Sequence, residues 1–257
     1  MKKLILPQRL PLKQLVTTSL TRYLLKLSGE ALGGDAGVGI EPSVLKHYCD
    51  EIEAAVREGI QVAVVLGGGN LFRGSHLAQA GMDRVIGDRM GMLATVMNGL
   101  ALNDFLQRRG IASSLFSAVP MAGMVDGYQR DLAQNAMRGG EVVILTGGTG
   151  NPFFTTDTAA CLRGVELGVD AVLKATNVDG VYSADPRKDA TAVRFERITY
   201  QQVLEQQLAV MDLTAIVLCQ ENALPLVVFD ASESRALTRI AAGEQVGTRV
   251  DDADSSN

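Results

Sequence analysis

Four apolar runs in this chain each end in glycine or small polar residues, and no other feature restricts the fold so tightly. Tyr23-Leu24-Leu25-Lys26-Leu27 is followed by Ser28-Gly29, and Gln61-Val62-Ala63-Val64-Val65-Leu66 by Gly67-Gly68-Gly69-Asn70. Val142-Val143-Ile144-Leu145 leads into Gly147-Gly148-Thr149-Gly150, and Ala171-Val172-Leu173-Lys174-Ala175 into Thr176-Asn177-Val178-Asp179-Gly180. The runs are continuous rather than alternating, as expected of parallel strands covered on both faces. Helices are predicted over 43–58, 84–109 and about 131–138, and later over 200–207, 212–222 and 235–242. Further strands are predicted over 113–119 and 226–229, with an edge strand over 247–250. In the long helix Ile86, Met90, Leu93, Met97 and Leu100 recur at four-three spacing, and Met82, Met90, Met92 and Met97 form a stripe suited to core or subunit contact.

Ligands of open α/β sheets bind along the carboxyl edge of the strands, where these four loops converge. The stretch from Gly147 to Asp157 joins a strand to a helix through a glycine-rich turn. The unpaired N–H groups of such a helix start attract anions. Neither a G-x-x-x-x-G-K-[ST] loop nor a G-x-G-x-x-G fingerprint in correct register occurs, which disfavours Walker-type NTPases and Rossmann dehydrogenases. Lys26 and Lys174 each interrupt a buried strand near its carboxyl end. A lysine there is costly unless its ammonium meets a partner or ligand, the plain alternative being a solvated edge strand. Cations and N–H donors gathered at that edge suit phosphoryl transfer.

Composition narrows the class. The chain has 257 residues, 47% hydrophobic and 21% charged, with a formal net charge of −5 and no tryptophan. That excludes a global basic field for nucleic acid and a base-stacking platform. Cys49, Cys161 and Cys219 lie far apart without metal spacing and read as buried thiols of a reducing, cytoplasmic setting. No apolar run approaches the roughly 20 residues that a membrane span needs. Residues 1–22 carry lysines and arginines but no acid and read as a poorly ordered extension. Residues 23–250 read as one domain, followed by the acidic tail 251–257.

Several motifs together resemble bacterial UMP kinases, the uridylate kinase branch of the amino-acid kinase superfamily. They are Lys26-Leu27-Ser28-Gly29-Glu30-Ala31-Leu32, Gly67-Gly68-Gly69-Asn70-Leu71-Phe72-Arg73-Gly74 and Gly87-Asp88-Arg89-Met90-Gly91-Met92-Leu93-Ala94-Thr95. Further along are Gly148-Thr149-Gly150-Asn151-Pro152-Phe153-Phe154-Thr155-Thr156-Asp157, Lys174-Ala175-Thr176-Asn177-Val178-Asp179-Gly180-Val181-Tyr182 and Val210-Met211-Asp212-Leu213. The resemblance runs collinearly from about residue 23 to 250. It implies a three-layer α/β/α sandwich with a mostly parallel central sheet and ATP-dependent phosphorylation of UMP to UDP in pyrimidine nucleotide biosynthesis.

The resemblance also implies roles. Lys26, Leu27, Ser28 and Gly29, with Gly69 and Arg73, would hold ATP phosphates, and Thr176, Asn177, Tyr182 and Asp185 would line the ATP nucleoside pocket. Gly68 would approach UMP, Asp88 would accept from its ribose hydroxyls, and residues 149–156 would wrap uridine and its phosphate. Within that wrap Phe153 and Phe154 are expected to pack rather than stack, while the backbone reads uracil. Lys174 would assist the γ-phosphoryl and Asp157 would orient the lysines. Mg²⁺ would arrive with ATP, since the sequence offers no separate metal cage. The loop Gly34-Asp35-Ala36-Gly37-Val38-Gly39 resembles a segment tied to GTP activation, with UTP as inhibitor, and family members are commonly homohexamers with the long helix as candidate dimer surface. Arg89 stands where histidine or tyrosine is common in the family, and Asp230 where asparagine is typical. A superfamily kinase acting on a carboxylate, or a non-catalytic nucleotide- or oxyanion-binding relative, is the alternative.

Overall fold

A computed structural model of the chain describes residues 21–72, 81–189 and 191–252. Arg73, most of the N-terminal extension and residues 253–257 lie outside the described residues. Strand β1 (Arg22–Leu27) sits between β2 (Gln61–Leu66) and β6 (Ala171–Thr176) near the middle of one sheet. Beyond β2 come β5 (Val142–Thr146), β3 (Ser113–Ser117) and the two-residue β4 (Asp126–Gly127). Beyond β6 come β8 (Leu226–Asp230), β9 (Thr248–Val250) and β7 (Arg197–Ile198). Every neighbouring pair is parallel except β8 with β9. The strand expected at the edge is thus one place in, with β7 outside it.

Solid apolar strands require cover on both faces, and both faces are covered. Helices α2 (Pro42–Arg57), α3 (Arg84–Arg108) and α8 (Ala236–Ala241) bury Leu45, Ile52, Leu102, Leu106 and Leu237 against Leu25, Leu27, Val62, Val64 and Ile144. Helices α4 (Arg130–Arg138), α5 (Thr156–Leu167), α6 (Tyr200–Glu205) and α7 (Leu213–Glu221) cover the other face. There Ala133, Ala160, Val203 and Ile216 meet Leu24, Val65, Val143, Val172 and Val228. Odd and even positions of each strand therefore enter different cores. The result is the expected three-layer sandwich, with all three cysteines buried and unpaired.

Helix α3 corrects one option left open by its sequence. Its inward face is Gly87, Ala94, Thr95, Asn98, Gly99, Leu102 and Leu106. Ile86, Met90, Leu93, Met97 and Leu100 point away from the core and are exposed. Of the methionine stripe Met90 and Met97 are exposed, Met92 is half-buried and Met82 precedes the helix, so the stripe does not pack into the core. Gly99 is what seats the helix: a Cβ there would lie 2.4 Å from Thr146 Cγ2.

Two boundaries also move. Arg22 opens β1 rather than closing an extension, its N–H donating to Asp170 at 2.7 Å and its guanidinium to the Leu167 carbonyl at 2.6 Å. Asp251 is buried and paired with Arg197 and Arg249, so the fold continues into the expected acidic tail.

Candidate active site

The parallel register of β1 and β6 sets Lys26 directly beside Lys174. Both share the sheet face of Leu24 and Val172, the face covered by α5. Two adjacent ammoniums repel, and the start of α5 supplies the charge that offsets them. Lys26 Nζ lies 2.6 Å from Asp157 Oδ1, and Lys174 Nζ donates to Asp157 Oδ2 at 2.8 Å and to the Val210 carbonyl at 2.6 Å. Each carboxylate oxygen therefore faces one ammonium. Burial opposes ionisation of the Asp157 carboxyl most strongly, yet the two ammoniums and their hydrogen bonds together prevail and hold its pKa below the ordinary carboxylate value. Both lysines thus lie in central strands and meet a partner, as their interruption of buried runs required, and the alternative of a solvated edge strand does not hold.

Asp157 is held by a second network. Thr155, the N-cap of α5, accepts from the N–H groups of Asp157 and Thr158 at 3.1 and 3.2 Å. The Thr155 hydroxyl donates in turn to Asp212, which also accepts from Thr158 Oγ1 at 2.8 Å and caps α7 through the Ala215 N–H at 3.0 Å. One carboxylate thereby ties two helix starts together beneath the lysine pair.

The glycine turns approach one another backbone to backbone. Leu27 O accepts from Gly67 N at 2.9 Å, and a Cβ on Gly29 would stand 2.5 Å from Gly69 N. After Gly29 the chain forms a single helical turn, α1 (Gly29–Leu32). A Cβ on Gly68 would meet Gly91 O at 2.8 Å, which brings the first turns of α3 against the same loop. From the neighbouring strand, Gly147 (φ 75°) donates its N–H to Thr95 Oγ1 of α3 at 2.8 Å. The turns after β1, β2, β5 and β6 thus crowd one carboxyl edge around Lys26.

Asp88, on the first turns of α3, reaches across to residues 147–156. It accepts from the Phe153 N–H at 2.7 Å and from Arg84 Nε at 2.9 Å. Phe153 stands at φ 72°, unfavourable for a residue with a side chain, and the Asp88 bond with the Arg84 guanidinium 5.4 Å over its ring fixes it there. Phe153 and Phe154 are exposed, so neither packs as expected. Thr149 Oγ1 accepts from Asn151 N at 3.2 Å, a turn that shapes the same loop.

Residues 21–230 match the model of the amino acid kinase family. The chain is 57% identical over 230 residues to the uridylate kinase of Marinobacter nauticus, covering 90% of this chain and 95% of that one. The uridylate kinase of Saccharophagus degradans is 58% identical, with 89% and 93% covered. Among solved structures, the UMP kinase of Bacillus anthracis superposes with a TM-score of 0.88 at 36% identity, covering 91% of this chain and 97% of that one. The chain belongs to the amino acid kinase family, in its uridylate kinase branch.

In this amino acid kinase the expected site residues are gathered unevenly. Lys26, Lys174 and Asp157 meet directly, Gly29 and Gly69 lie backbone to backbone in the turns that follow β1 and β2, Gly68 faces α3, and Asp88 joins α3 to residues 149–156. Thr176 opens the adjoining turn, its Oγ1 donating to Val178 O at 2.8 Å. Tyr182 donates to Asp179 at 2.7 Å, and Asp185 caps a separate exposed turn through Arg187 N at 3.0 Å. Arg73 lies outside the described residues. Residues 34–39 form a 3-10 turn and a glycine bend behind the loop after β2. Asp230 acts as an acceptor, taking Ser232 N and Oγ at 2.8 Å, so the turn there needs no amide donor. Arg89 is exposed. Thr95, Asn98 and the role of Asp212 are not apparent from the sequence alone. Polar residues inside an apolar helix, and an aspartate ahead of a helix, are the signals that could have exposed them.

Proposed function

We propose that the protein transfers the γ-phosphoryl group of ATP to UMP, yielding ADP and UDP in the cytoplasmic supply of pyrimidine nucleotides. The observation that carries this reading is the Lys26–Asp157–Lys174 cluster at the carboxyl edge of a uridylate kinase fold. The acceptor is the UMP phosphate, whose second pKa near 6 leaves it mostly dianionic at neutral pH, so no general base is required. The difficulty is bringing two polyanions together. Lys26, with the N–H groups of residues 28, 29 and 69, receives the donor phosphates. Lys174 sits 2.8 Å from Asp157 and approaches the transferring group from the neighbouring strand. Asp157 holds both ammoniums in place, which sets positive charge where the transition state spreads its negative charge. Arg73 is proposed to add a further cation.

The donor set at this centre is two ammoniums, backbone N–H groups and a carboxylate already spanned by both lysines. Such a set suits Mg²⁺ carried by the nucleotide, and among the described residues no group of three or more His, Cys, Asp or Glu side chains could hold a metal. When bound, that ion neutralises phosphate charge. Asp88 is proposed to exchange its Phe153 and Arg84 contacts for the ribose hydroxyls of UMP, and residues 149–156 to enclose the base. Thr176, Asn177, Tyr182 and Asp185 are assigned to the ATP nucleoside, GTP activation to residues 34–39 and UTP to inhibition, and the assembly proposed is a homohexamer with the exposed face of α3 as its dimer surface. Chromatography of an ATP reaction offered UMP, CMP, dUMP, glutamate or carbamate tests the reading. UDP and ADP should form in equal amounts and fastest with UMP, and turnover of a carboxylate instead would replace it.

A further inference from the structure

Two asparagines outside the reacting centre form a buried polar hub between its parts. Asn70 follows the glycine triplet and Asn98 lies on the inward face of α3; both side chains are buried. Their amides pair reciprocally. Asn70 Nδ2 donates to Asn98 Oδ1 at 3.0 Å, and Asn98 Nδ2 donates to Asn70 Oδ1 at 2.8 Å. Each amide spends its second N–H on a backbone carbonyl: Asn98 on Gly67 O at 2.8 Å, Asn70 on Gly39 O at 2.6 Å. Gly39 N returns a bond to Asn70 O at 3.0 Å. Turning either amide over would set oxygen against a carbonyl, so the network has one consistent arrangement.

Four chain segments meet at this hub: the turn after β2, residue 39 at the end of the glycine bend, α3, and through Gly67 the Leu27–Gly29 turn. The glycines that place N–H groups at the donor phosphates have no side chains with which to anchor themselves, and a carbonyl tethered from beneath is their substitute. We propose that Asn98 and Asn70 are positioning residues for phosphoryl transfer: Asn98 sets the Gly67 turn against Lys26, and Asn70 makes that setting depend on residue 39. This rests on the proposed ATP and UMP reaction. Rate depends steeply on such placement, since a shift of about 1 Å can cost on the order of 100-fold.

Asn98→Asp and Asn70→Asp separate the two ends. The first removes the donors to Gly67 O and Asn70 Oδ1 and keeps the tie to Gly39. The second removes the donors to Gly39 O and Asn98 Oδ1 and keeps the tie to Gly67. The full-length protein is assayed with ATP and UMP beside thermal unfolding, with Asn98→Ala as the substitute if a buried carboxylate prevents folding. In folded Asn98→Asp, kcat/KM for ATP is expected to fall roughly tenfold or more with KM for UMP nearly unchanged, and the fall in Asn70→Asp to be smaller. Wild-type kcat/KM for ATP in a folded Asn98 variant overturns the inference, as does a lowered Tm with proportional loss toward both substrates. If the wild-type chain does not turn over UMP, the function itself is contradicted. Calorimetric ATP binding then decides the inference, weaker binding in Asn98→Asp supporting it and equal binding refuting it.

Discussion

Asp88 and Asp157 are both carboxylates on the first turns of helices, and their surroundings give them different work. Asp88 faces a loop backbone and an exposed arginine whose ion pair is weak enough to exchange. Asp88→Asn should therefore raise KM for UMP and narrow the preference for UMP over dUMP, leaving KM for ATP in place; steady-state kinetics with each nucleotide varied would show this, and a changed ATP dependence alone would refute it. Asp157 is enclosed between two ammoniums. Its folded pKa lies below its unfolded value of about 3.9, so its stabilisation is complete above that pH and is lost as pH falls through the folded pKa. Replacing it leaves buried Lys26 and half-buried Lys174 without a counter-charge. Asp157→Asn should lower Tm at pH 7 by roughly 5–15 °C, and its Tm should depend less on pH below about 4 than that of the wild type.

At the scale of elements, α3 has two apolar faces. Thr95 and Asn98 on the inner face hold the turns after β5 and β2, while Leu93 and Met97 on the outer face are exposed. An exposed stripe of this size calls for a partner, and a second copy is the occupant proposed. Leu93→Asp should shift sedimentation toward smaller species with Tm only modestly lowered; an unchanged assembly would show that the stripe is not a subunit contact. The sequence could not say which face was which, because periodicity reports that residues share a face but not what covers it. The strands were more legible. Their solid apolar runs require two covered faces, and that alone led to the layers. The lysines were legible for the same reason, since a cation in such a run needs a partner. Asp212 and the asparagine hub were not, because their bonds join segments far apart in the chain, and the short strands β4 and β7 are too brief to leave a pattern.

For the whole molecule, the topology puts β1 where the chain first builds the sheet toward β2 and later returns to the other side with β6. Residues from the two halves therefore meet beside β1: Lys26 and the glycine triplet from the first, Asp157 and Lys174 from the second. The proposed GTP effect belongs at this scale, since residue 39 is tied to the turn after β2 through Asn70. Added GTP should raise the rate at subsaturating ATP, and no response would remove that assignment. The central claim is that phosphoryl transfer passes through the lysine pair over Asp157. Lys26→Met tests it most directly, by measuring kcat with ATP and UMP in protein shown by circular dichroism to be folded. A fall on the order of 10²–10³-fold is expected, and near wild-type kcat in folded Lys26→Met protein would rule that role out.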